Sequence, residues 1–282
     1  MEVVRKPDWF KIRRLAVGEK ASAVMGEIAR NGLRTVCSSA ACPNKGACFA
    51  EGTATFMILG DVCTRACRFC NIATGRPGPP DEAEAERVAE AAEKMGLRFV
   101  VVTSVARDDL PDEGAVAFAE TIRAVRRRLT GAKVEVLTPD FSGREECLAT
   151  VLGAGPDVFN HNVETVERLT PSVRAKATYR RSLEVLRAAR RMAPQIPTKS
   201  GLMVGLGETR EELLRAFDDL AGAGVERLTV GQYLQPTRRH HPVIRYYEPV
   251  EFEDIKRAAK AAGIRAVLSG PLVRSSYHAG TM

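Results

Sequence analysis

Three cysteines within eight residues, Cys63-Thr-Arg-Ala-Cys67-Arg-Phe-Cys70, form the most chemically specific feature of the chain. Three thiolates so placed can hold three irons of a [4Fe–4S] cube and leave the fourth iron open to another ligand. A structural zinc site needs four ligands, often as two C-x2-C pairs. Here the spacing is unequal and no fourth Cys or His lies nearby. The first triplet along the chain, Cys37-Ser-Ser-Ala-Ala-Cys42-Pro-Asn-Lys-Gly-Ala-Cys48, has C-x4-C-x5-C spacing. It again suits a cubane with one iron lacking a cysteine. Taken alone, it leaves open a purely structural cluster or a zinc knuckle with a distant fourth ligand. Only 14 residues separate Cys48 from Cys63, so two clusters would lie close together. Six of the seven cysteines fall between Cys37 and Cys70, and one falls in the 212 residues from Asn71 onward. A disulfide framework would spread its thiols along the chain, so the crowding points to metal. The odd one, Cys147, has helical spacing with Leu148, Val151 and Leu152 and reads as a core thiol.

These loops need a frame. Residues 1–50 read as an irregular region with Gly- and Asn-containing turns. From Gly52, short runs rich in β-branched residues alternate with longer amphipathic stretches, the signature of βα units. The strands predicted are Ala54–Leu59, Arg98–Thr103, Lys133–Leu137, Val158–Asn160, Thr198–Val204, Leu228–Gly231 and Arg265–Leu268. Asp81 with Glu84, Ser142 with Glu145, and Thr209 with Glu212 each fit a capping box that would satisfy free helix N–H groups. Gly96 stands where a helix ending near Met95 wants a residue at positive φ. Six or seven such units suit an incomplete parallel barrel, with a doubly wound open sheet as the alternative. Barrel sites lie at the C-terminal strand ends. The polar runs Cys63–Cys70, Thr103–Asp109, Thr138–Phe141, Asn160–Glu164, Gly205–Thr209 and Gln232–Thr237 fall there.

The C-x3-C-x2-C pattern, with an aromatic before its last cysteine, resembles that of the radical S-adenosylmethionine superfamily. The segment GTATFMILGDVC between the triplets is similar to the lipoyl synthases. So are Thr103-Ser-Val-Ala-Arg-Asp-Asp-Leu, Leu137-Thr-Pro-Asp-Phe, Asn160-His-Asn-Val-Glu-Thr, Lys199-Ser-Gly-Leu-Met-Val-Gly-Leu-Gly-Glu-Thr, Gln232-Tyr-Leu-Gln-Pro-Thr and Arg274-Ser-Ser-Tyr-His-Ala. The resemblance runs from Lys6-Pro-Asp-Trp9 onward. It implies an α/β fold: a partial (β/α)6-type TIM barrel over 51–270, an N-terminal cluster-binding extension over 1–50 and a cluster-binding tail over 271–282.

By that resemblance, Cys63, Cys67 and Cys70 hold a [4Fe–4S] cluster that binds S-adenosylmethionine. Cys37, Cys42 and Cys48 hold an auxiliary [4Fe–4S] cluster sacrificed as sulfur donor, with a serine of Arg-Ser-Ser-Tyr as its fourth ligand. Ser276 is the choice, with Ser275 as the alternative. A serine oxygen is a hard ligand on an iron that prefers thiolate, and should release readily. Asn162, Glu164 and Lys199 would contact S-adenosylmethionine. Thr103 and Ser104 would meet its methionine end, or supply ordinary strand-end polarity. Arg107 and Asp108 would face substrate. The implied reaction inserts sulfur at C6 and C8 of an octanoyl chain carried on a lysine of a lipoyl-carrier domain or a glycine-cleavage H-type protein, fed by an external electron donor.

Other functions fit less well. A biotin-synthase-like or methylthio-transferring enzyme would lack the first triplet and the Arg-Ser-Ser-Tyr run. An electron carrier or zinc-binding module would not need the long βα body. The four histidines show no i,i+4 metal spacing, and no nucleophile elbow or P-loop is present. The net charge of +7 is spread over helix faces without interleaved aromatics. That reads first as solvated helix faces and argues against nucleic acid, while attraction to an acidic protein or an anionic cofactor is the functional alternative. The opening MEVVRKPDWFKIRRLAVGEK is too charged for a signal peptide, and the apolar stretch Thr53–Gly60 is too short to span a bilayer, so a cytoplasmic protein is expected.

Overall fold

A computed structural model of the chain describes residues 5–10, 19–39, 42, 44–50, 54–277 and 279–282. Gly52, where the βα rhythm begins, and His278 lie outside the described residues. Seven parallel strands form the body: β1 (Thr55–Ile58), β2 (Phe99–Ser104), β3 (Lys133–Leu137), β4 (Val158–Asn160), β5 (Thr198–Val204), β6 (Arg227–Gln232) and β7 (Ala266–Gly270). They pair in chain order, and no pairing among the described residues joins β7 back to β1. The barrel is therefore open, as the partial-barrel expectation requires. Such strands are covered on both faces, which is why Val100-Val101-Val102 reads as an unbroken apolar run and is fully buried.

Six helices cover the outside: α1 (Glu84–Lys94), α2 (Ala115–Arg128), α3 (Glu145–Gly153), α4 (Tyr179–Met192), α5 (Arg210–Gly222) and α6 (Pro249–Ala261). Phe118, Ile122 and Leu148 pack with Val102 and Val134 in one core, while Phe217, Phe252 and Ile264 pack with Leu228 and Val230 in another. Cys147 is buried in the first, its Sγ 3.4 Å from the Asp112 carbonyl, as a core thiol should be.

Two capping expectations are corrected. Asp81 accepts from Ala83 N, but the Glu84 carboxylate accepts instead from Leu59 N at 2.7 Å, tying α1 to the end of β1. Ser142 has φ 51° in a short turn, and Arg144 precedes α3 without a side-chain cap. The Thr209–Glu212 box forms in full, and Gly96 follows α1 at φ 61°. The N-terminal extension is more regular than its composition implies. It contains a helix, Glu19–Arg30, and Arg34–Thr35 pairs antiparallel with β1, extending the sheet by one strand. Among the described residues no helix is long and apolar enough to cross a membrane.

Candidate metal centre

The Cys63–Cys70 loop leaves β1 and is pinned at several points across the mouth of the barrel. Thr64 N donates to Ala106 O at 3.1 Å, Arg68 N to Val173 O at 2.8 Å, and His241 N to Arg68 O at 2.8 Å. His240 Nε2 donates to Cys70 O at 3.0 Å, which assigns its ring proton. Arg65, inside the loop, is buried. Its guanidinium lies 2.6 Å from Asp108, 2.7 Å from Asp140 and 3.7 Å from Glu113. Burial alone would lower its pKa, but Asp108 and Asp140 raise it. The Asp108 carboxyl, resisted by burial, is nonetheless drawn down to about 2 by Arg65, Thr64 and Lys176. The loop is thus held by acids that follow β2 and β3, with Asp108 bonded to Arg65 and Thr64 inside it. Arg107 is likewise turned inward, donating to Asp109 and to Gly78 O.

The donor set fits a cluster. The described cysteines are all free. Cys63 Sγ accepts from Arg65 N and Ala106 N at 3.4 Å each, and Cys67 Sγ from Ala175 N at 3.3 Å. Such N–H groups favour thiolate ligands of an iron–sulfur cluster. Burial, with the neighbouring thiols, pushes Cys70 up to about 11, so the metal-free thiol is protonated at neutral pH and must lose its proton to bind iron. Among the described residues no three His, Cys, Asp or Glu side chains converge as on a single ion.

The first triplet closes differently. Cys42 N donates to Cys37 O at 3.1 Å, Cys48 N to Asn44 O at 2.9 Å, and Cys37 is buried. Asn71, next to Cys70, donates to Ser39 O at 3.1 Å and joins the two cysteine segments. The tail folds onto the same place. Asn44 Nδ2 donates to Leu272 O at 2.6 Å, and Arg274 lies within electrostatic reach of Cys42. A Cβ on Gly231, at the end of β6, would come within 2.0 Å of Val273 O, so only glycine lets the tail pack there. Ser275 and Ser276 sit in the turn closed by Tyr277 N to Arg274 O at 2.9 Å.

Of the expected cofactor contacts, Ser104 ends β2, and Asn162 and Glu164 follow β4. Ser104 Oγ and Asn162 Oδ1 are buried with no protein partner, a cost normally met by a ligand or water. Asn162 Nδ2 donates to Glu164 Oε1 at 3.1 Å, and a Cβ on Gly201 would crowd Asn162 Oδ1 at 2.7 Å. Glu164 has φ 67°, a left-handed conformation costing about 1–2 kcal/mol for such a residue. Burial raises its pKa, while Arg174 and Asn162 oppose the rise. Thr103 and Lys199 are anchored elsewhere. Thr103 Oγ1 donates to Leu137 O at 2.8 Å. Lys199 Nζ lies 2.9 Å from Glu135 inside the barrel, both side chains wholly buried, with Asn160 donating to the same carboxylate. The residue that sequence reasoning missed is Arg174, whose backbone neighbour Ala175 supports Cys67 and whose charge reaches Cys67 and Glu164.

The family model of the radical SAM superfamily matches residues 57–220, which begins within β1 and takes in the Cys63–Cys70 loop and most of the barrel. The chain is 55% identical to a lipoyl synthase of Halalkalibacterium halodurans over 279 residues, covering 99% of this chain and 92% of that protein. The match carries through both triplets and the tail. The chain belongs to the lipoyl synthase family. A lipoyl synthase of Geobacillus thermodenitrificans is equally similar, 55% identical over 99% of this chain and 93% of its own length. The fold is also that of solved methylornithine synthase, with a TM-score of 0.55 at 13% identity over 91% of this chain and 83% of that one. Family membership makes the chain a radical S-adenosylmethionine sulfurtransferase with [4Fe–4S] clusters, and its activity that of lipoyl synthesis.

Proposed function

We propose that the two triplets divide one sulfur-insertion reaction between them. The observation that carries this reading is the Asn44–Leu272 contact, by which the serine-bearing tail meets the first triplet and not the loop of the second. In this organisation residues 1–50 and 271–282 enclose the auxiliary site and 51–270 form the radical barrel.

Cys63, Cys67 and Cys70 hold the radical cluster, and Ser104, Asn162 and Glu164 line the adjoining mouth. When bound, that cluster and S-adenosylmethionine supply a 5′-deoxyadenosyl radical able to take hydrogen from an unactivated C–H bond. Buried Ser104 Oγ and Asn162 Oδ1 would gain the partners they lack. Thr103 and Lys199 shape the wall from behind, through Leu137 O and Glu135. Cys37, Cys42, Cys48 and Ser276 hold the auxiliary cluster, which is consumed as the sulfur source and is a substrate in that sense. The acceptor is an octanoyl group on a lysine of a lipoyl-carrier domain or a glycine-cleavage H-type protein, functionalised at C6 and C8. An external donor supplies the electrons. Neither nucleic acid nor a membrane takes part, and free thiols suit the reducing cytoplasm.

Anaerobically reconstituted protein is expected to hold about eight irons, as two cubanes require. With reductant, S-adenosylmethionine and an octanoyl-lysyl peptide it should yield a dithiolated peptide, its sulfur traceable to labelled sulfide in the auxiliary cluster. Deoxyadenosine without sulfur in the peptide would overturn the division of labour. Unchanged sulfur transfer in Cys42→Ala would overturn the role of the first triplet.

A further inference from the structure

A directed hydrogen-bond chain runs behind the Cys67 corner of the loop. His161 and Ser182 are both wholly enclosed, with relative exposures of 2% and 0%. His161 Nδ1 lies 2.9 Å from Thr138 O, an atom that only accepts, so Nδ1 carries the ring proton. His161 Nε2 is then an acceptor, and Ser182 Oγ, 3.0 Å away, must donate to it. That leaves the Ser182 oxygen free to accept, and Arg174 Nη1 donates to it at 2.8 Å. The same Nη1 reaches Val163 O at 3.2 Å. Every proton in the sequence Arg174, Ser182, His161, Thr138 has one direction. A protonated imidazole would reverse the Ser182 link and repel Arg174.

The chain fixes a guanidinium beside the cluster loop. The segment Val173–Ala175 touches that loop on both sides of Arg174. Val173 O accepts from Arg68 N at 2.8 Å, and Ala175 N donates to Cys67 Sγ at 3.3 Å. The Arg174 charge is felt at both Cys67 and Glu164. Among the described residues no carboxylate forms an ion pair with it. Asp140 lies nearby but is engaged by Arg65 and Arg181. Reduction potentials of iron–sulfur centres respond to neighbouring charge and to hydrogen bonds at sulfur.

We propose that His161 and Ser182 are positioning residues that hold Arg174 beside Cys67, where its positive charge raises the reduction potential of the cluster on Cys63, Cys67 and Cys70. An electron added there meets a fixed cation, and the cation is held by neutral groups that do not cancel it. The inference rests on those three cysteines holding a cluster, as proposed above.

The test is a mediated redox titration of the reconstituted full chain, following by electron paramagnetic resonance the signal that changes when S-adenosylmethionine is added. Arg174→Gln is expected to move the midpoint to a more negative potential with iron content kept, and Arg174→Lys to recover part of the shift. Ser182→Ala and His161→Leu should move it in the same direction by less. Ser182→Thr and His161→Gln, which keep the hydrogen bonds, should resemble the parent. An unmoved midpoint in Arg174→Gln would overturn the proposal. So would a shift there with Ser182→Ala and His161→Leu both at the parent value. If Ser182→Ala loses iron, retention in Ser182→Thr supports the hydrogen-bonding role, and loss in both overturns it in favour of packing. A parent chain with no S-adenosylmethionine-responsive signal would sink the cluster assignment itself, a result distinct from an intact signal at an unmoved potential.

Discussion

The Asn44 side chain donates to the Leu272 carbonyl at 2.6 Å, joining segments 228 residues apart in the chain. Asn44 is buried and lies between Cys42 and Cys48, so the bond sets the tail directly against the first triplet. Replacing it by alanine leaves the carbonyl without this donor, a loss of about 1–3 kcal/mol where water cannot substitute. Asn44→Ala is expected to lose iron from the first triplet and keep it at the second. Iron content should fall from about eight toward about four per chain, with the S-adenosylmethionine-responsive signal retained. Loss of both clusters together would contradict separate sites.

Lys199 and Glu135 form an ion pair sealed inside the barrel. Removing one member strands a buried charge, a cost of about 3–5 kcal/mol. Lys199→Met should therefore be severely destabilised in chemical denaturation. Lys199→Met combined with Glu135→Gln should recover much of the loss, because no charge is left unpaired. Equal stability of the single and double variants would mean that Lys199 is not held by Glu135.

His161 carries a pH dependence whose sign is fixed. Burial, with Arg174, lowers its pKa from the usual 6.5 to about 4 in the fold. The unfolded chain takes up the proton first as pH falls. Stability from this group is thus complete above about 6.5 and declines as pH drops toward 4. Denaturation between pH 7 and 5 should show a falling midpoint that flattens in His161→Gln. Parallel curves for the two chains would refute the assignment.

An acidic carrier would approach past the loop that carries Arg238 and Arg239. Both are exposed, and the next residue, His240, is bonded to Cys70 O. Charge attraction of this kind acts on encounter and is screened by salt. Raising ionic strength should lower kcat/KM for a carrier protein several-fold more than for a short octanoyl-lysyl peptide. Arg238→Glu with Arg239→Glu should reproduce the effect at low salt. Salt-insensitive turnover with the carrier would count against docking by charge.

Much of this architecture was legible in the chain. Lys133–Leu137, Val158–Asn160 and Thr198–Val204 were read to the residue, because β-branched runs bounded by helix caps leave little freedom. The cysteines declared themselves by spacing. What stayed hidden was partnership over long separations. Lys199 and Glu135 stand 64 residues apart, and Ala175 and Cys67 stand 108 apart. No local pattern says that Lys199 turns to Glu135. Charged residues inside two strand-forming runs could have signalled it, since such charges are rarely buried unless paired. Arg174 had no comparable signal, because Pro-Ser-Val-Arg-Ala-Lys-Ala carries no recognisable motif. The helix Glu19–Arg30 was masked by its charges and by Gly26.

The tail contact also imposes an order of manufacture. Synthesis runs from the N-terminus, so Leu272 is made long after the three cysteines that its segment meets. Before then the first triplet lacks its Asn44 anchor partner and the neighbouring serines. The barrel-mouth triplet, by contrast, needs nothing beyond His241 among the contacts that pin its loop. One metal site can thus be furnished on a growing chain, while the other works as an inspection stamp, completed only when the residues around Leu272 have arrived and packed.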